Sequence, residues 1–332
     1  MKAKKSLGQN FLKGEFALKK IIEAGEMQPG DIILEIGPGK GALTKKLLEK
    51  SSLVIAVEKD NNLFSFLQEK FTNEISDGKL ILLNEDILEF DMQKTISKIP
   101  VAQRFLHGLV GVGLESDQKT DSKENRGPEK TFVPQEFNYK IIANIPYNIT
   151  GAILKKFLTA ENQPVSMVLM VQLEVAKRII ARDKKESILS VSVKAYGEPK
   201  MVAKVPARYF SPAPKVDSAI IAINNISRKN FKNSPLEEYS DLSRREVDKF
   251  RNTSTPSRKR ATPQEGNKNF EEKFWEIVKA GFAHKRKKLS SNLKTILKNR
   301  NASLLPDFVN KRAEELSTKD WLALASSGII NP

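Results

Sequence analysis

Short apolar runs alternate with stretches of helical spacing through the first two-thirds of this chain, and that alternation is the strongest constraint on its fold. Asp31 to Ile36, Leu53 to Val57, Leu80 to Leu83, Lys140 to Ala143 and Met167 to Val171 are each about one strand long. Between them, Ala42 to Lys50, Asn61 to Phe71, Ile149 to Leu158 and Leu173 to Ala181 carry apolar residues at helical spacing. This rhythm predicts an α/β fold, a doubly wound sheet with helices on both faces. Ile188 to Ala195 and Ser218 to Ile223 are rich in β-branched residues and are expected to complete the sheet as an antiparallel edge. From Phe270 onward the pattern reads as helical to the end.

Two segments interrupt the rhythm. Residues 100 to 137 contain Gly108-Leu109-Val110-Gly111-Val112-Gly113 and then a polar stretch without periodicity. Residues 227 to 269 are polar and punctuated by Ser, Thr and Pro, with 11 Lys and Arg against 6 Asp and Glu. Both have the composition of surface insertions. The expected organisation is therefore a domain over 1–226 carrying the first insertion, a flexible polar insertion over 227–269, and a helical C-terminal domain over 270–332.

Composition removes several chemistries. The 332 residues include no cysteine and only two histidines, His107 and His284, which disfavours thiolate or imidazole metal sites and a Ser-His-Asp hydrolase. No metal is expected. Lys and Arg exceed Asp and Glu by 56 to 40, for a net charge of +16, which points to a polyanionic partner such as nucleic acid. No apolar run reaches the roughly 18 residues of a membrane span, so a soluble, cytoplasmic protein is expected.

The candidate site residues fall at the ends of the expected strands. Glu35-Ile36-Gly37-Pro38-Gly39-Lys40-Gly41 follows the first of them and precedes a helix, where glycine lets the main chain turn tightly beside a ligand. Gly37, Gly39 and Ala42 also fit the dinucleotide fingerprint, so the loop alone leaves two cofactor classes open. Glu58 closes the second strand 21 residues after Gly37, where a carboxylate can accept from ribose hydroxyls in either class. Glu35 could orient the loop, approach an ammonium group, or stand as a charged lip. The third strand runs into Glu85-Asp86-Ile87, which puts Asp86 beside the loop as an acceptor for the amine of a bound adenine. That acid favours S-adenosylmethionine over a nicotinamide dinucleotide.

The tetrad Asn144-Ile145-Pro146-Tyr147 ends the fourth strand. An amide, carbonyls stiffened by proline and an aromatic plate can hold a flat base and accept hydrogen bonds from its amino group. Such chemistry suits adenine N6. The Asn144 side-chain oxygen and the Ile145 carbonyl are expected to take the two amino protons, Tyr147 to stack on one face of the base, and Phe210 to offer a plate for the other.

With these residues the chain resembles the small-subunit ribosomal RNA adenine dimethyltransferases, part of a broader family that includes the macrolide-resistance adenine methyltransferases. The likeness rests on Gly8-Gln9-Asn10-Phe11-Leu12, the Glu35 to Gly41 loop, Glu58, Asp86, the tetrad, and Phe210-Ser211-Pro212-Ala213-Pro214-Lys215-Val216-Asp217-Ser218. It implies a Rossmann-like S-adenosylmethionine-dependent methyltransferase sheet of seven strands with a small all-α C-terminal domain. It implies as well that Asn10, Leu12, Gly37, Glu58, Asp86 and Asn144 line the cofactor pocket, and Gln9, Glu35, Gly39, Gly41 and Ile87 are further candidates for cofactor binding. Gln9 and Asn10 owe that role to the resemblance alone. The same source implies two adjacent adenosines near the 3′ end of small-subunit rRNA, each methylated twice at N6, and a place in small-subunit assembly.

From Lys285 to Arg300 there are seven Lys and Arg and no acid, on what reads as one helix with Leu289, Leu293 and Leu297 on its packed face. Lys285, Arg286, Lys287, Lys288 and Lys294 are the candidate phosphate contacts. Lys2, Lys4, Lys5 and Arg258-Lys259-Arg260 could extend their path. Lys285 stands where the family carries an Arg, and Asp183 to Ser187 replaces a more Gly-rich link. Action on large-subunit rRNA or DNA, or a non-catalytic assembly role, would keep the same features; a nicotinamide oxidoreductase lacks a hydride-transfer site. No oligomer interface is evident, so a monomer is expected.

Overall fold

The computed structural model describes residues 4, 8–51, 53–99, 137–181, 183, 185–232, 263–294, 296 and 306–327. These fall into two compact units, one formed by Met1–Ala176 with Lys200–Asn224 and the other by Lys177–Pro199 with Asn225–Pro332.

The first unit opens with a two-residue strand β1 (Phe11–Leu12) and helix α1 (Glu15–Ala24). It continues through β2 (Ile32–Ile36), α2 (Ala42–Leu48), β3 (Leu53–Val57), α3 (Asn61–Lys70), β4 (Leu80–Leu83), β5 (Lys140–Asn144) and β6 (Ser166–Gln172). The later strands are β7 (Glu198–Val205), β8 (Phe210–Ser211) and β9 (Ser218–Asn224). Seven strands form one sheet in the order β4-β3-β2-β5-β6-β9-β7, and β1 pairs with β8 in a separate ribbon. The α/β rhythm of the sequence is thus a parallel sheet from β4 to β6, with β9 antiparallel to β6 in the register Met170↔Ile220.

Continuous apolar runs became the central strands because both of their faces are covered. All five residues of β2 and all five of β3 are buried. Ala17, Leu18 and Ile21 of α1 close one face against β6 and β9. The strand order reverses beside β2, which pairs with β3 on one side and β5 on the other. A crevice therefore opens beyond the carboxyl ends of β2 and β5, where ligands bind in open α/β sheets. The glycine loop leaves β2 at that point and Asn144 ends β5 there.

Two expectations fail at the far edge of the sheet. Ile188–Tyr196 is a helix, not a strand. Ser187 caps it, accepting from Ser190 N while the Ser190 side chain returns a bond to the Ser187 backbone. Val191, Val193 and Ala195 are fully buried, so packing on several sides overrides the β preference of the branched residues. The edge strand is instead β7, which the sequence reading missed. Pro199 within Glu-Pro-Lys-Met-Val-Ala-Lys-Val obscures it, and proline is tolerated there because β7 has a neighbour on one side only.

The second unit packs helices Ile188–Tyr196, Pro263–Gly281 and Thr318–Ser326 with the short helix Leu289–Leu293. Trp321 is fully buried, its ring 5.4 Å from Phe282. Tyr196 stacks on Trp275 and donates its hydroxyl to Glu271, which also holds Arg228 at 2.9 Å. The C-terminal region is less continuously helical than its pattern suggested, with 3-10 turns at Pro306–Phe308 and Ala313–Glu315. Of the polar segment 227–269, both ends are helical, at Lys229–Lys232 and from Pro263. Residues 233–262, and 100–136 of the other insertion, lie outside the described residues.

Candidate active site

A cavity of about 250 Å³ occupies the crevice. Five short segments wall it: Gly8–Leu12, the loop after β2, Glu58–Lys59 after β3, Glu85–Leu88 after β4, and Asn144–Ile149 after β5.

The glycine loop has its shape from positive φ angles. Gly39 sits at φ +60°, and a side chain there would reach within 3.1 Å of the Phe11 ring. Gly41, at φ +72°, begins α2; a Cβ would stand 2.5 Å from Phe71. It lies behind the cavity and sets the loop's course, whereas Gly37 and Gly39 line it.

Three carboxylates converge, each held differently. Glu58 is 6% exposed; its Oε2 accepts from Gly39 N at 3.1 Å and its Oε1 from Asp60 N at 2.9 Å. Burial raises its pKa against the pull of those bonds. Asp86 is more open. Its Oδ2 pairs with Lys59 Nζ at 2.7 Å and its Oδ1 accepts from Leu88 N at 3.0 Å, and the hydrogen bond from Lys59 leads in holding the carboxyl below its usual range. Glu35 is only 1% exposed, which rules out the charged-lip reading. Its Oε2 has no hydrogen-bond partner among the described residues, and burial, opposed by Thr44 and then reinforced by the Glu58 charge, pushes its pKa up to about 8.

The tetrad forms the opposite wall. Asn144 ends β5 paired with Met170, and its Nδ2 donates to Asn10 O at 3.2 Å, so the side-chain oxygen is the atom left to accept. Ile145 is 2% exposed and lines the cavity with Pro146. Tyr147 starts a 3-10 turn, Tyr147–Ile149, and its hydroxyl lies 2.5 Å from Ser218 Oγ. Ser218 is fully buried at the start of β9 and fixes the ring; sequence reading had it only as part of a motif. Phe210 stands apart: it is 4% exposed, belongs to the core and is not in the cavity wall.

Gln9 and Asn10 now have a physical explanation. Strand β1 pairs with β8 in the register Leu12↔Phe210, which anchors the segment at one end. At the other end Gln9 Nε2 donates to Asp60 Oδ2 at 3.1 Å, and Lys4 Nζ pairs with the same oxygen at 2.9 Å. Lys4 is therefore engaged within the protein instead of extending a basic path. Leu12 and Ile87 contribute apolar wall, at 8% and 5% exposure.

In the second unit, Lys285, Arg286, Lys287 and Lys288 are exposed, but they occupy a turn and not a helix. The helix is limited to Leu289–Leu293, with Leu289 and Leu293 buried as expected, and Leu297 lies outside the described residues. Lys294 is exposed just after it. Asn292 shapes the turn: its buried amide donates to Gly281 O at 2.6 Å and to His284 O at 3.1 Å.

Among the described residues no His, Cys, Asp and Glu cluster could hold a metal ion, and no helix is long and apolar enough to cross a membrane. Two solved structures share the fold over most of the chain. A dimethyladenosine transferase from Plasmodium falciparum superposes with a TM-score of 0.59 at 22% identity, covering 95% of each chain. The 23S rRNA methyltransferase ErmE gives 0.57 at 22% identity over 95% of this chain and 98% of that one. This is the Rossmann-like α/β fold that both of those transferases have.

Sequence comparison narrows the class. The family model for ribosomal RNA adenine dimethylase matches residues 1–253. Ribosomal RNA small subunit methyltransferase A of Francisella tularensis subsp. novicida is 35% identical over 329 residues, 98% of this chain and 97% of that protein. The protein of the same name from Dehalococcoides mccartyi strain CBDB1 is 40% identical over 223 residues, a match that spans 67% of this chain and 63% of the relative. The chain belongs to the ribosomal RNA adenine dimethylase family.

Proposed function

We propose that this protein transfers methyl groups from S-adenosylmethionine to N6 of two adjacent adenosines near the 3′ end of small-subunit rRNA, twice on each, during small-subunit assembly. The observation that carries this reading is the Asn144 amide, tied by its Nδ2 to Asn10 O so that an acceptor oxygen remains at the cavity wall.

The cavity suits the cofactor. Glu58, pinned by two main-chain amides, keeps lone pairs for ribose hydroxyls. Asp86 offers a carboxylate to the adenine amine. The unpartnered, buried Oε2 of Glu35 would gain from a cationic donor such as the methionine ammonium. Gly37 and Gly39 admit close approach of the chain. When bound, S-adenosylmethionine supplies an electrophilic methyl group.

Adenine N6 is a weak nucleophile because its lone pair is delocalised into the ring. Acceptance of its two protons by Asn144 Oδ1 and the Ile145 carbonyl counters that delocalisation and aims the lone pair. Alignment of this kind lowers barriers by about 7–11 kcal/mol in well-oriented systems. Proton release can follow transfer, so no strong base is required. Tyr147, held by Ser218, stacks on the extruded base for about 1–3 kcal/mol. Phe210, buried in the core, adds nothing to that stack in this arrangement. The exposed cations of Lys285–Lys288, with Lys294, serve phosphate binding.

The test is incubation with labelled S-adenosylmethionine and unmethylated small subunits, large subunits or DNA, followed by nucleoside mass spectrometry. N6,N6-dimethyladenosine confined to small-subunit rRNA is the expected result. Label on large subunits or DNA would overturn the substrate, and binding without transfer would overturn the enzymatic reading in favour of an assembly factor.

A further inference from the structure

We infer that Asp60 is a positioning residue that latches the Gly8–Leu12 segment over the cavity and thereby sets cofactor affinity. The inference rests on the cofactor reading above. Asp60 is not in the cavity wall, yet its carboxylate, 2% exposed, joins three parts of the site. Its Oδ1 accepts from Asn62 N at 2.9 Å and from Leu63 N at 3.4 Å, capping α3. Its Oδ2 takes Gln9 Nε2 at 3.1 Å and Lys4 Nζ at 2.9 Å. Its own N–H donates to Glu58 Oε1 at 2.9 Å.

The division of labour between the two oxygens matters. A helix cap alone would need one oxygen and would leave the segment free. Here the second oxygen is spent on the segment, and the same segment supplies the Asn10 carbonyl that orients Asn144. Lys4 N also donates to Gln9 Oε1 at 2.7 Å, so Lys4, Gln9 and Asp60 form a closed cycle. Phe11 completes the cover: Lys40 Nζ lies 5.0 Å from its ring centroid, and Gly39 packs close enough that a side chain there would come within 3.1 Å of the ring. With β1 fixed to β8 at one end, Asp60 is the attachment at the other. Release of that end would loosen Gln9 and Asn10 together, opening the cavity's edge ahead of the paired Phe11 without altering the carboxylates inside it.

Two variants separate the latch from the cap. Asp60→Asn retains a good capping side chain but loses the charge that holds Lys4. Lys4→Glu leaves α3 untouched and places a like charge against Asp60. In the full chain, S-adenosylmethionine affinity is measured by calorimetry, and amide hydrogen exchange is followed at residues 8–13 without ligand. Both variants are expected to bind roughly ten-fold more weakly, the scale of one lost charge-assisted bond, with faster exchange in residues 8–13 and an unchanged melting temperature for Lys4→Glu. Methylation kinetics should show a higher KM for the cofactor, with a smaller fall in kcat through the Asn10 carbonyl that orients Asn144. Wild-type affinity in both variants would overturn the latch. So would weaker binding by Asp60→Asn with unchanged exchange, since Asp60 would then act through α3 alone. A wild-type chain that binds no S-adenosylmethionine would instead overturn the proposed function, whatever the exchange shows.

Discussion

The cavity and the basic turn are both assembled from short loops, but they are held by opposite means. Around the cavity four polar side chains are pinned by neighbours: Glu58 by two main-chain amides, Asp86 by Lys59 and Leu88, Asn144 by Asn10, Tyr147 by Ser218. In the turn it is chiefly the backbone that is held, by Asn292 and by the close packing of Gly281 on Trp321, while its four cations are exposed and, among the described residues, Lys288 alone of them donates to a side chain, Asn310 Oδ1 at 2.9 Å. A reacting atom needs fixed partners, because a small displacement costs alignment. A phosphate backbone needs only charge at roughly the right place, and flexible side chains provide that with less loss of entropy.

The largest effect should follow from breaking the pinned wall at the proposed site of methyl transfer. Asn144→Ala removes one preorganised acceptor and is expected to lower kcat by about 10²- to 10³-fold, the scale seen for a lost transition-state hydrogen bond. RNA affinity, measured by filter binding, should change little. Activity equal to wild type would mean that the pinned amide is a structural bond to Asn10 and nothing more.

The same contrast explains what could be read from the sequence. The sheet was legible because its strands are continuous apolar runs flanked by helical spacing, and the cavity residues were legible because they end those strands. Lys4, Asp60 and Ser218 were not, since each acts by a contact across at least 51 residues of sequence or through a buried partner. Ile188–Tyr196 misled because β-branched content outweighed the Ser187 cap, a signal available in the sequence but carried by a Ser where Glu or Gln is the usual partner. The turn at Lys285–Lys288 misled because the basic run was joined to the apolar spacing that begins only at Leu289, and nothing local showed that Asn292 would fold the chain back on Gly281.

Next in size are the two glycines on which the regions rest. Gly41→Ala forces φ +72° on a residue with a Cβ and drives that Cβ to 2.5 Å from Phe71. Gly281→Ala would press on Trp321, whose ring atoms lie as close as 2.3 Å to the new Cβ. Each should cost about 2–4 kcal/mol, from overpacking and, for Gly41, left-handed strain, read as a lower denaturation midpoint. The readouts should diverge: Gly41→Ala should weaken cofactor binding more than RNA binding, and Gly281→Ala the reverse. Equal losses in both assays would remove the separation of tasks.

Glu35 gives an effect of a different kind, one that depends on pH. Its folded pKa, about 8, lies above the ordinary 4.5, so the folded state holds the proton more tightly than the unfolded chain. The resulting stability is full below about pH 4.5 and is lost as pH rises toward 8. Thermal melts of the free protein should show a midpoint falling over that window, and Glu35→Gln should flatten the fall. A slope unchanged by the substitution would show that another group carries it.

The smallest single effects belong to the turn, and they distinguish projecting charge from pinned geometry most directly. If Lys285 to Lys288 act as point charges on phosphates, replacing any one with Met removes about one contact, lowering the slope of log affinity against log salt by roughly 0.7–0.9. Affinity should fall only a few-fold at moderate salt, and the losses should add across the four positions. Lys285→Arg should be nearly neutral, because an exposed side chain with no fixed partner among the described residues gains little from a bidentate fork. A large gain from that exchange, or a loss concentrated in one of the four, would show a phosphate held in defined geometry; the turn would then be built on the same principle as the cavity.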